Sequence, residues 1–206
     1  MKIKHLIYPK NKWLSIGVVG AFCSSFLALS YSLAVVGFPP TENPFLDSLV
    51  FESMLLVLMA CGFFAMDKTE GFYLAGLLTI PLFIQSIIVF FAKGQLSYES
   101  ASPITGVIAI IIANVIMWLP LYPLFILLIA IAGFSNTSQI GKAPGKIIGW
   151  SAMTYLLFVA VNIVGWGSNV SFFVTNLSLG VVFATCGIVF VRILYVSGKS
   201  MNRVGD

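Results

Sequence analysis

Four strongly polar side chains lie within long apolar stretches: Glu52, Gln85, Asn114 and Asn162. A carboxylate or carboxamide left unpaired in hydrocarbon costs several kcal/mol, so such groups must find one another, water or a ligand. Glu52 is the only acidic residue well inside an apolar run, and the chemistry open to it there is cation binding or proton relay. Three prolines stand close in depth to these groups. Pro81, Pro120 and Pro123 lack the N–H that would bond the carbonyls of Leu77, Ile116 and Leu119. Freed carbonyls at mid-membrane persist only where protein or a watery cavity satisfies them, and broken helices of this kind are one device for holding ions and substrates. Trp118 and Tyr122 fall in the same region, and their N–H and O–H groups also need partners.

The elements that must position these residues are membrane spans. Of the 206 residues 59% are hydrophobic and 9% charged, against about a quarter charged in soluble domains, and the mean hydropathy is +1.03. Apolar runs long enough to cross a bilayer occur at about 13–38, 46–66, 71–92, 104–134, 147–167 and 170–196. The expected fold is therefore an all-α integral membrane protein, a single domain over 1–206 with six transmembrane helices. The start of the chain has basic residues like those of a signal peptide, but the apolar run after it exceeds the roughly 7–15 residues of a signal core, so it is read as a retained span. The fourth run would extend roughly 45 Å as a straight helix, against a hydrocarbon core of about 30 Å. It is expected to be long and broken at its Trp118-Leu119-Pro120-Leu121-Tyr122-Pro123 sequence.

If each run crosses once, Lys2, Lys4, Lys10, Lys12, Lys68, Lys142, Lys146, Arg192, Lys199 and Arg203 share one side, and only Lys93 lies opposite. Basic residues favour the cytoplasmic side, which places both termini there and fits a bacterial inner membrane. Counting residues at 1.5 Å each then sets Glu52, Gln85, Asn114 and Asn162 at similar heights in the outer half, with Asn176 somewhat higher. Such a layer is expected to face the interior of the bundle, either as a ligand or ion site or as a hydrogen-bonded clamp between helices. Snorkelling of Glu52 toward Asp47 at the outer interface is a third reading. Small residues recur at helix-packing intervals: Gly141, Gly145 and Gly149; Ala109 and Ala113; Gly180, Ala184 and Gly187. These suit close approach of helix backbones, chiefly within the chain.

Several classes of chemistry lack their residues. His5 is the only histidine and precedes the first span, and Cys23, Cys61 and Cys186 fall in separate runs without metal-ligand spacing. No cofactor, metal site or catalytic residue is therefore expected, and no nucleic-acid contact, because the basic residues form no face with aromatic partners. The leading functional expectation is a non-enzymatic membrane subunit, an anchor, sensor or channel-like component of a larger assembly such as a stress-response or defence system. It would be homo-oligomeric or would dock a cytoplasmic protein through Lys10, Lys12, Lys142, Lys146, Lys199 and Arg203, residues that also suit anionic lipid. The alternative is a small permease or ion-coupled carrier working through the polar layer around Glu52.

Overall fold

In lipid each backbone N–H and C=O must be paired within the segment, so uninterrupted apolar runs fold as helices. The computed structural model describes residues 10–35, 37, 49–66, 70–97 and 120–202, and among them no strand occurs. The helices are α1 (Lys10–Val35), α2 (Leu49–Ala65), α3 (Glu70–Ser97), α4 (Leu121–Ser135), the four-residue α5 (Thr137–Ile140), α6 (Lys142–Ile163) and α7 (Asn169–Asn202). Four of them, α1, α3, α6 and α7, are long and apolar enough to cross a membrane, and α2 and α4 are shorter apolar helices. The helices begin earlier than the apolar runs on the basic side, because Lys10 and Lys142 each open a helix.

The six apolar helices form a closed ring in the order α1, α2, α3, α4, α6, α7, with α7 returning to α1. Neighbours run antiparallel, as their contacts show. On α1, Gly17 lies on Gly62 of α2 and Gly20 on Met59. Phe63 of α2 stacks on Phe72 of α3, and Gly71 of α3 meets Ala132 of α4. Gly145 and Gly149 of α6 face Gly133 and Phe134 of α4, while Gly180 and Gly187 of α7 face Leu29 and Phe22 of α1. Gly145, Gly149, Gly180 and Gly187 are thus covered by the chain itself, while Ala109 and Ala113 lie outside the described residues. The glycines bring backbones close enough for Ser25 Oγ on α1 to donate to the Gly180 carbonyl at 2.8 Å.

The half of the ring nearest Lys12, Lys142, Lys146 and Arg192 is filled with apolar side chains. Phe63 is its centre, with ring centroids 5.1 Å from Phe72 and 5.5 Å from Phe190, and all three side chains are fully buried. The outside of the ring is also apolar. Phe26 and Leu157 are 76% and 62% exposed, which suits lipid and would make a large sticky patch in water. Trp13, Tyr73, Trp150 and Tyr195 are exposed near the basic end and Trp166 at the other, the positions that interfacial aromatics occupy.

At the basic end α5 and α6 are joined at Gly141, whose φ of 99° and ψ of 146° lie in a region open essentially to glycine. Arg192 of α7 reaches under this turn and donates from Nη1 to the Ile140 carbonyl at 3.2 Å. A β-carbon on residue 141 would also press on the Arg192 guanidinium. Gly141→Ala is therefore expected to destabilise the protein by about 1–3 kcal/mol, read as a lower melting temperature in detergent.

Candidate functional site

Among the described residues the opposite half of the ring is less densely filled. It holds a cavity of about 220 Å³ lined by Ser24, Leu27, Ala28 and Tyr31 of α1, Glu52 of α2, Tyr122 of α4, Tyr155 of α6, and Thr175, Asn176, Leu179 and Phe183 of α7. Among the described residues five of the six ring helices contribute and α3 does not. The volume is below the roughly 300–1,000 Å³ of sites for drug-sized ligands, so it is scaled to an ion, several waters or a small molecule.

Glu52 is half-buried in the first turn of α2, where the aligned amides at the helix N-terminus favour an acidic group. Its Oε1 accepts a hydrogen bond from the Tyr122 hydroxyl at 3.1 Å. Tyr122 is brought there by the proline sequence. Pro120, at φ −78° and ψ 41°, lies outside the helix; α4 starts at Leu121, and Tyr122 is its second residue. Pro123 falls in the first turn, where an N–H has no intrahelical acceptor and its loss is tolerated. The next N–H, of Leu124, bonds to the Pro120 carbonyl at 3.0 Å. In the described part of the 104–134 run, the prolines mark the start of a helix. The part before Pro120, including Asn114 and Trp118, lies outside the described residues.

Among the described residues no basic side chain lines the cavity. A carboxylate partly withdrawn from water, with the Tyr122 hydroxyl as its one donor among the described residues, remains under-compensated, which gives the site capacity for a proton or a cation. Ser24 adds a second unfilled contact. Its side chain is 3% exposed, and its Oγ has no hydrogen-bond partner among the described residues. Nearby buried hydroxyls behave differently: Ser25 bonds across to α7, Ser32 back to Ala28, and Thr175 back to the Ser171 carbonyl at 2.7 Å. An orphaned buried polar atom on a cavity wall calls for water or a ligand.

The remaining predicted residues are distributed more widely. Asn162, at the end of α6, accepts from Ser171 Oγ at 2.5 Å and donates to Thr175 Oγ1 at 3.3 Å. It therefore stands behind the cavity and reaches it only through Thr175. Asn176 lines the cavity, with its amide nitrogen donating back to the Phe172 carbonyl at 3.1 Å. Gln85 is half-buried on α3, away from the lining, and Pro81 and Leu77 are exposed on the outside of α3. Lys12, Lys142 and Lys146 are exposed at the basic end, α1 opens at Lys10 and α7 contains Lys199; Arg203 lies outside the described residues. Tyr31, Tyr155 and Ser24 are cavity residues that sequence reading did not single out. Their only local signal is a polar atom within an apolar run, which many lipid-facing residues share.

Asn162 joins the ends of α6 and α7 by two side-chain bonds, and hydrogen bonds within membranes average only about 0.6 kcal/mol each. Asn162→Ala is expected to lower stability by about 1 kcal/mol, measured by thermal unfolding in detergent, without altering binding at Glu52. Compared with known protein families, characterised proteins and solved structures, the chain matches none.

Proposed function

We propose that this chain is a six-span membrane protein with both termini on the cytoplasmic side, working as a small permease or ion-coupled carrier whose outer-half cavity takes up a proton or cation at Glu52. The topology is supported by the antiparallel ring and by the gathering of Lys12, Lys142, Lys146 and Arg192 at one end, since basic residues are retained on the cytoplasmic side. The observation that bears most on function is the cavity. Among the described residues it combines one carboxylate, no basic partner, and a buried hydroxyl without a hydrogen-bond partner.

In this reading the proline turn before α4 sets Tyr122 against Glu52, and the apolar half around Phe63 closes the path toward the basic end. Transport then requires movement of α4 or its neighbours to open that half, as in alternating access around a fixed site. The test is reconstitution into liposomes carrying a proton or alkali-cation gradient, with flux followed by a pH- or cation-sensitive dye. Uptake above that of empty vesicles is expected. Folded, monodisperse protein without any flux would overturn the carrier reading.

The reading as a non-enzymatic subunit, docked through the basic end, draws on different residues. Topology and contact with anionic lipid, at about 1 kcal/mol per basic residue near the surface, already account for exposed Lys12, Lys142 and Lys146. The cavity is the feature that this alternative does not use.

A further inference from the structure

The cavity wall carries more than oxygen atoms. Tyr31, Tyr122, Tyr155 and Phe183 stand around Glu52, with Leu27 and Leu179 completing an apolar lining. The rings of Tyr122 and Tyr155 have centroids 6.1 Å apart and are tilted by 53° to each other, and the ring of Phe125 backs Tyr122 at the same centroid distance. A hard metal ion gains from a shell of about six oxygen ligands and has no use for aromatic and aliphatic walls. Several of the oxygens here are already engaged: the Tyr122 hydroxyl with Glu52, and Thr175 with Ser171 and Asn162. Among the described residues there is also no cluster of three or more histidine, cysteine or acidic side chains. Aromatic rings attract organic cations through their negative faces, most strongly where water is excluded, and a single acidic group can neutralise the charge.

We infer that the cavity binds a small organic ammonium ion, with its charge at Glu52, its carbon groups among Tyr122, Tyr155, Tyr31 and Leu179, and any hydroxyl or N–H group it carries against the unpaired Ser24 hydroxyl. This deepens the carrier proposal and rests on its reading of the cavity as a binding site. The volume of about 220 Å³ limits the ligand to a compact amine. A long-chain or polycyclic cation is too large.

The test is equilibrium titration of the purified full-length protein in detergent, by calorimetry and thermal shift, with tetramethylammonium, choline, the uncharged choline isostere 3,3-dimethyl-1-butanol, and sodium. The two ammonium ions are expected to bind, with the neutral isostere weaker by about tenfold or more. Glu52→Gln should weaken ammonium binding by a similar factor. Tyr155→Phe keeps the ring and should stay within about threefold of wild type, whereas Tyr155→Leu removes it and should lose about tenfold. The same pair of changes at Tyr31 provides an independent comparison if Tyr155→Leu fails to fold. Equal binding of the neutral isostere, or equal damage from the Phe and Leu variants, would overturn the inference. Binding of sodium alone would also overturn it. Glu52-dependent proton or sodium flux without ammonium binding would leave the carrier proposal standing and remove the ammonium; ammonium binding without flux would do the reverse.

Discussion

Glu52→Gln is expected to reduce flux by about a hundredfold while changing stability by less than about 1 kcal/mol. Glutamine has nearly the same shape, and its Oε1 can still accept the Tyr122 hydroxyl that lies 3.1 Å from the native carboxylate. The packing of α2 against α1 and the start of α4 is therefore retained. What is lost is the charge and the ability to take up a proton. Removing one partner of a desolvated charge interaction costs about 2–5 kcal/mol, and every 1.4 kcal/mol is tenfold, so the effect on binding and flux far exceeds that of one hydrogen bond. Flux in liposomes and melting temperature in detergent, measured on the same preparation, separate the readings. A clamp would give the opposite pattern: unchanged flux and a lower melting temperature. In a Tyr122→Phe protein the charge remains and only the donor is gone. It should fall between wild type and Glu52→Gln in flux.

Gly17→Leu is expected to cause the largest loss of stability, lowering the melting temperature by about 10 °C or preventing recovery of monodisperse protein. A β-carbon at residue 17 would meet the backbone of Gly62, and one turn further along, a β-carbon on Gly20 would meet the backbone of Met59. Backbone cannot rotate away as a side chain can, so relief requires α1 and α2 to separate. The Phe190 ring closes the same contact, lying 3.4 Å from a β-carbon at residue 17 and 2.6 Å from one at residue 62, so a larger side chain has no free space beside it. Overpacking typically costs about 1–3 kcal/mol and occasionally more, and a site that is backbone on backbone belongs at the upper end. Phe26→Leu is the matched control. Phe26 lies on the same helix but is 76% exposed toward lipid, and substitutions at such positions usually stay within about 0.5 kcal/mol.

These two positions show different relations between sequence and structure. Gly17 is one of many glycines in apolar runs, and its spacing from Gly20 alone does not mark it for close packing. It becomes critical because Gly62, 45 positions later, is set opposite it. Glu52 is conspicuous in any reading, since an acidic side chain in an apolar run must be accounted for energetically wherever it points. Its partner is less evident. Tyr122 could be recognised as a group needing a hydrogen-bond acceptor, but at a separation of 70 positions nothing in the sequence indicates that Glu52 supplies it. Gln85 illustrates the converse: its count along α3 gives a depth like that of Glu52, yet among the described residues α3 contributes nothing to the cavity.

The helical class, the apolar runs and the gathering of Lys12, Lys142, Lys146 and Arg192 at one end were legible in the sequence, because they depend on local quantities: the length of a run against the thickness of a bilayer, and the cost of a charge within it. Position along a helix is likewise a matter of counting, since the rise per residue is constant. The direction each side chain takes around its helix was decided only by tertiary structure. In a soluble helix the polar face reveals the inward one, but here both the lipid side and the interior are apolar, so periodicity carries little of that information. The ring order, the approach of α1 to α2 at Gly17, and the meeting of Glu52, Tyr122, Tyr155 and Ser24 at one cavity all depend on that rotation.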